Sequence, residues 1–246
     1  MLVSLSLSEQ TAFTVLRGVL AAILPAMGKS NIVLGQVNRV PQVKAENFIV
    51  MWPLRRDRIE TNIDEYADLS FTGSIAGGVL TVTEVLIGTM APNRDLFGEN
   101  LAAGSAIGAA ISVDPDTGLG TYAVTPSQTV ASQNMAAGVA NITQPTKMTV
   151  QLDVHGPVSA DNAQVISTLL RDVYGVNLFD PDVSGVTPLY ADDPRQGPYR
   201  NEQQQIENRW MVEAVLQINP TVTLPQQFAG ELSLELVSVD ATYPTP

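Results

Sequence analysis

The sequence predicts an α+β protein in which a mixed or antiparallel sheet carries two packed helices and a small all-β domain is inserted. Three observations lead there. Residues 147–174 switch from a period of two to a period of 3.6 within a few positions, residues 72–145 change composition, and residues 206–218 alternate as one long strand. The expected division is an α+β core of residues 1–71 and 146–246, with 72–145 as the all-β insertion.

The chain has 246 residues, 45% of them hydrophobic, which is enough to fill a large core or two ordinary ones. Thirteen Lys and Arg against 25 Asp and Glu give a net charge of -12, which argues against binding nucleic acid through neutralised phosphates. With no Cys and a single His, disulfides, thiolate sites and most zinc or His-based catalytic centres are excluded. Arg17 interrupts the apolar run near the N-terminus and no basic segment opens it, so an amphipathic helix of a soluble protein is expected there.

Ser6 and Glu9 have capping-box spacing, and Phe13, Leu16, Leu20, Ile23 and Met27 mark one stripe of a first helix that Pro25 ends or kinks. Asn31 to Val37 reads as a short strand and Phe48 to Arg58 as another, whose Pro53 implies an edge or a bulge. From Thr72 to Pro145 the chain holds one basic and five acidic residues among many Gly, Ala, Thr and Val, with no helical stripe. A turn signal stands at Asp114-Pro115-Asp116-Thr117-Gly118 and a strand at Thr121 to Val124.

Met148, Val150, Leu152 and Val154 then alternate with polar residues as a half-buried strand. After His155-Gly156-Pro157, Ser159 is placed to cap a second helix bearing Ile166, Leu169, Leu170 and Val173, with Gly175 at its end. Asp180 to Tyr199, rich in Pro, Asp and Gly, reads as a long ordered loop. In Ile206 to Ile218, Trp210, Val212, Ala214, Leu216 and Ile218 share one face and Arg209, Glu213 and Gln217 the other. Leu232 to Val239 repeats the alternation.

The stretches FIVMWPLRRDRIETNIDEY, QLDVHGPVSADNAQVISTLLRD, PLYADDPRQGPY and ENRWMVEAVLQINPTVTLPQQFA, in that order, resemble the phage neck terminator or tail-terminator-like family. The resemblance implies a virion structural protein, assembled in the host cytoplasm. It implies a homo-oligomeric ring, hexameric, at the head-to-tail junction, which ends the tail tube and joins it to the connector on the portal side. Partners implied are the tail tube protein, the connector proteins and, in a contractile tail, the sheath. Genomic DNA would pass through the lumen without specific binding, and no membrane is involved. The segment Phe71 to Ala136 is similar to a β module of phage structural proteins and departs from the plain terminator pattern. The alternative function is therefore decoration or adhesion, binding a fibre or a cell-surface glycan through that module.

Arg55, Arg56 and Arg58 are the densest basic patch, and alternation sends Arg56 and Arg58 to one face and Arg55 to the other. Their two readings are an ion pair between subunits, with Asp192 or Asp193 of the acidic loop, and a solvated strand end. The segment LYADDPRQGPY, with Arg195 and Tyr199, favours the interface. Asp180, Asp182, Asp192 and Asp193 lack the spacing of a calcium loop and read as turns or salt bridges. His155 reads as a turn histidine, and Trp52 and Trp210 as core residues. Neither Gly73, Gly77 and Gly78 nor any other glycines form a nucleotide-binding loop. No catalytic residue, cofactor or metal is expected, and the chain is not read as an enzyme.

Overall fold

The structure is a computed structural model and describes residues 3–35, 47–200, 206–226 and 228. In chain order the first elements are β1 (Ser4–Leu5), α1 (Glu9–Ile23), β2 (Ile32–Leu34), β3 (Phe48–Arg58), β4 (Ile63–Ile87), β5 (Arg94–Phe97), β6 (Ala106–Val113), β7 (Gly120–Thr143) and β8 (Thr146–His155). They are followed by α2 (Ser159–Leu169), α3 (Val173–Phe179), α4 (Pro181–Ser184), β9 (Val186–Ala191), β10 (Arg195–Gln196), β11 (Tyr199–Arg200), β12 (Ile206–Glu207), β13 (Arg209–Ile218) and β14 (Thr221–Pro225). The strand expected at Leu232 to Val239 lies outside the described residues.

Two compact units divide the chain. One is Ser4–Asp64 with Asn141–Thr223; the other is Met1–Val3, Glu65–Ala140 and Leu224–Pro246. Both are discontinuous in sequence. Among the described residues, 224–226 and 228 group with the β-rich unit, where the sequence pattern assigns them to the α+β core.

In the first unit a sheet runs in the order β10-β13-β8-β3-β2, with β9 on β13 beside β10. All its pairings are antiparallel except β2 with β3. Met148, Val150, Leu152 and Val154 of β8 join Val212, Ala214 and Leu216 of β13 and Ile49 and Met51 of β3 in one buried cluster. Helix α1 adds Phe13, Leu16 and Leu20 to it, and α2 adds Ala163 and Ile166. Trp210 packs against the cluster, as expected. Period two on the strands and 3.6 on the helices thus meet at one interface.

Among the described residues four α-helices stand where two are expected, and their ends differ from the reading. Helix α1 is capped by Ser8, whose Oγ accepts from the Thr11 N–H at 3.1 Å, while Ser6 instead accepts from the Thr221 N–H at 3.0 Å. Ser159 is the first residue of α2 rather than its cap. The helix stops at Leu169, and Asp172 caps a new helix α3 through the Tyr174 N–H at 2.8 Å, so Gly175 lies inside α3. Gly175 is required there because a Cβ would collide with the Leu169 carbonyl. The segment from Asp180 to Tyr199 is no loop: it forms α4, β9 and β10.

The second unit is built from β4 to β7, with β5 and β6 paired to each other and both to β7. Leu69, Phe71 and Ile75 of β4, with Leu80 and Val82, bury against Ile107, Tyr122, Val124 and Met135. β4 turns back at Gly77, which adopts φ +66. At the Asp114 turn the backbone N–H groups of Asp116 and Thr117 and the Thr117 hydroxyl hold the Asp114 carboxyl below its ordinary pKa.

Core truncation tests the first unit's layer. Leu152→Ala, at a fully buried position, is expected to cost about 2–5 kcal/mol, against about 0.5 kcal/mol for Val183→Ala at an exposed one. Urea unfolding of both variants measures the difference.

Candidate assembly surface

Sheets of this kind have two faces, and the one turned away from the helices carries the polar positions of β8: Thr149, Gln151, Asp153 and His155. It is closed as well. Thr149, Asp153 and His155 are all under 7% exposed. The Asp153 carboxylate accepts from Trp52 Nε1 at 2.9 Å, from Arg209 Nη2 at 2.7 Å and from Gln151 Nε2 at 2.7 Å. Trp52 lies on β3 and Arg209 on β13, each two residues diagonal to the position opposite Asp153, within cross-strand reach. Trp52 is therefore half-buried on this second face and not in the helix-side core, as its alternation with Ile49 and Met51 requires.

His155 stacks on Phe48, its partner in register, with centroids 4.4 Å apart and planes within 4°. Gly35 and Gly197 close in on this face: a Cβ at 35 would collide with the Trp52 indole, and one at 197 would lie 2.6 Å from Met211 Cε. Sequence reading placed Asp153 on the polar side of β8 but gave no sign that this side is covered.

The arginines expected at an interface sit at the far end of β3. Arg56, opposite Met148, points to the helix side and meets Glu9 at 2.6 Å. Arg55, opposite Thr149, points to the second face and meets Asp57 at 3.1 Å. Arg58 donates to Asn62 at 2.9 Å. Alternation had separated Arg56 from Arg55 in this way.

Asp192 and Asp193 follow β9, two strands beyond β8. Asp193 pairs with Arg171 at 3.1 Å while its side chain stays 89% exposed. Arg195, on β10, pairs with Glu213 at 2.6 Å. Tyr199 lies on β11, paired with β12. Within one copy the structure does not bring the arginines and aspartates together: β8 and β13 stand between β3 and β9, roughly 14 Å of sheet. Their own partners are exposed pairs, each worth about 0–1 kcal/mol.

Compared with known proteins, the chain matches the Phage neck terminator protein family over residues 109–240, more than half its length. It belongs to that family. Membership gives it a structural role in the phage neck and tail, in the virion, in association with other head-to-tail proteins, within a family that is not one of enzymes. The family match opens inside the Gly- and Ala-rich segment, so residues 109–145, set apart in the sequence reading, fall within the family pattern. Three of the four resembling stretches lie within the match, and the one bearing Arg55, Arg56 and Arg58 lies before it. No curated protein matches the chain. Among the described residues, no helix is long and apolar enough to cross a membrane.

Asp153→Ala is expected to cost about 3–5 kcal/mol, because it strands Arg209 with its side chain 23% exposed and leaves the Trp52 N–H unpaired. Asp153→Leu combined with Arg209→Met should cost less than the single change. Urea midpoints of the two variants decide it.

Proposed function

We propose that this chain forms a closed ring, six copies around, at the head-to-tail junction, where it ends the tail tube and joins it to the connector on the portal side. One observation carries the reading. A basic end, Arg55, Arg56 and Arg58, and an acidic end, Asp192 and Asp193, sit on opposite sides of one sheet, with two strands between them, and do not meet within a copy. Different patches on successive copies make a heterologous contact, and such contacts close into a ring when the rotation between copies divides a full turn. Family membership supports the location.

In this reading the internal pairs Arg55–Asp57 and Arg171–Asp193 are loose enough to re-pair across the ring. Growth of the tube stops because one ring face matches the last tube layer and the other matches the connector. The net charge of -12, turned toward the lumen, would let DNA slide past without adhesion. The tube, the connector and, in a contractile tail, the sheath are the proposed neighbours.

Light scattering after gel filtration should show wild type as a discrete species near six times 26.3 kDa. Arg55→Glu with Arg58→Glu, and separately Asp192→Lys with Asp193→Lys, should each abolish it. Mixed in equal amounts, the two double variants have complementary ends throughout and should assemble again in alternation. If the mixture stays monomeric, the charged ends are not the contact.

A further inference from the structure

Both flanking strands of the central β8–β13 pair carry one residue too many, and in both the extra residue is a leucine. On β3, Pro53 pairs with Val150 and Arg55 with Thr149, so Leu54 bulges out. On β9, Pro188 pairs with Leu216 and Tyr190 with Val215, so Leu189 bulges out. A bulge re-aims a side chain, and these two aim theirs into solvent: Leu54 is 48% exposed and Leu189 40%. The register places them one residue apart along the sheet, since Val215 pairs with Thr149 and Leu216 with Met148.

The strand edges themselves are poor templates for pairing. Pro53 and Pro188 carry no N–H, the bulges break the ladder, Ser184 Oγ takes up the Val186 N–H at 3.1 Å, and Arg171 Nε bonds the Ala191 carbonyl. A neighbour meeting either edge finds an interrupted ladder with apolar side chains standing out of it.

We infer that Leu54 and Leu189 are the apolar anchors of a contact between two copies of this chain, Leu54 of one seating against Leu189 and Tyr190 of the next. This rests on the ring reading and deepens it. A second copy is the occupant because the two ends differ in net charge: beside Leu54, Arg55, Arg56, Arg58 and Lys147 outnumber Asp57 and Glu9, whereas beyond Leu189, Asp192, Asp193 and Glu213 outnumber Arg171 and Arg195. Tyr190, 43% exposed beside Leu189, enlarges the acidic end's apolar surface. The charges orient the approach and the leucines exclude water from it.

Leu54→Ser and Leu189→Ser change exposed residues and should leave urea unfolding close to wild type. Each should weaken self-association at least tenfold in sedimentation velocity, at low and high salt alike. An equimolar mixture should recover a dimer and no ring, because each mixed pair retains one intact Leu54–Leu189 contact. Variants that assemble like wild type while the charge reversals dissociate would overturn the anchors and leave the ring reading standing. Variants that form rings but no longer cap tails would give the leucines to a different neighbour and also overturn the inference. A wild type that stays monomeric at every concentration would overturn both.

Discussion

The structure depends on one constraint: β8 is buried on both faces, and one of those faces holds a charge. Leu152 and Val154 must meet the helices, and Asp153 must meet Trp52, Gln151 and Arg209. A slip of one residue would drive the carboxylate into the apolar layer and turn Leu152 toward a guanidinium. Because Trp52 comes from one neighbouring strand and Arg209 from the other, a single carboxylate ties three strands into one register. Buried ion pairs contribute little net stability against apolar replacements. What this one supplies is a unique alignment, and every position named at the sheet's ends inherits it.

With the register fixed at the centre, irregularity is pushed to the strands that flank the β8–β13 pair. Leu54 and Leu189 are surplus residues there, and each sits next to a proline that could not have donated to a ladder. Edges blunted this way do not recruit foreign strands. The same bulges that spoil the ladder present apolar side chains. One local device therefore discourages an unspecific contact and, in the proposed ring, supplies a specific one.

Much of this was legible in residues close together in sequence. Alternation located Phe48–Arg58 and the strand through Val150 to its observed ends or nearly so, and Pro53 signalled the bulge. Where reading failed, a distant partner or a second helix had decided the matter. Ser6 fits a capping box as well as Ser8 does, but its hydroxyl is engaged by Thr221, far along the chain. Gly175 looks like a helix stop, yet Asp172 restarts a helix three residues earlier. Pro181 and Pro188 read as loop formers, although Pro is tolerated in the first turn of a helix and on an outer strand, which is where they lie. The Asp153 cluster is invisible in the sequence because Arg209 and Trp52 stand 56 and 101 residues from it, and only the pairing of strands brings them together.

The chemistry of the two sheet ends also says how the proposed ring would behave. Its charges already have partners at home, so recruiting them across an interface exchanges one exposed pair for another and gains little. Salt would screen that gain further. Two leucines and a tyrosine removed from water contribute more, but over a small area, so a single contact between two copies stays weak. Closure changes the balance: the last copy in a ring makes two contacts for one loss of translational freedom, and the second contact forms at high effective concentration. A weak contact that becomes strong only on closure populates whole rings and free copies at the expense of partial rings, which is why a single discrete species is the expected form in solution.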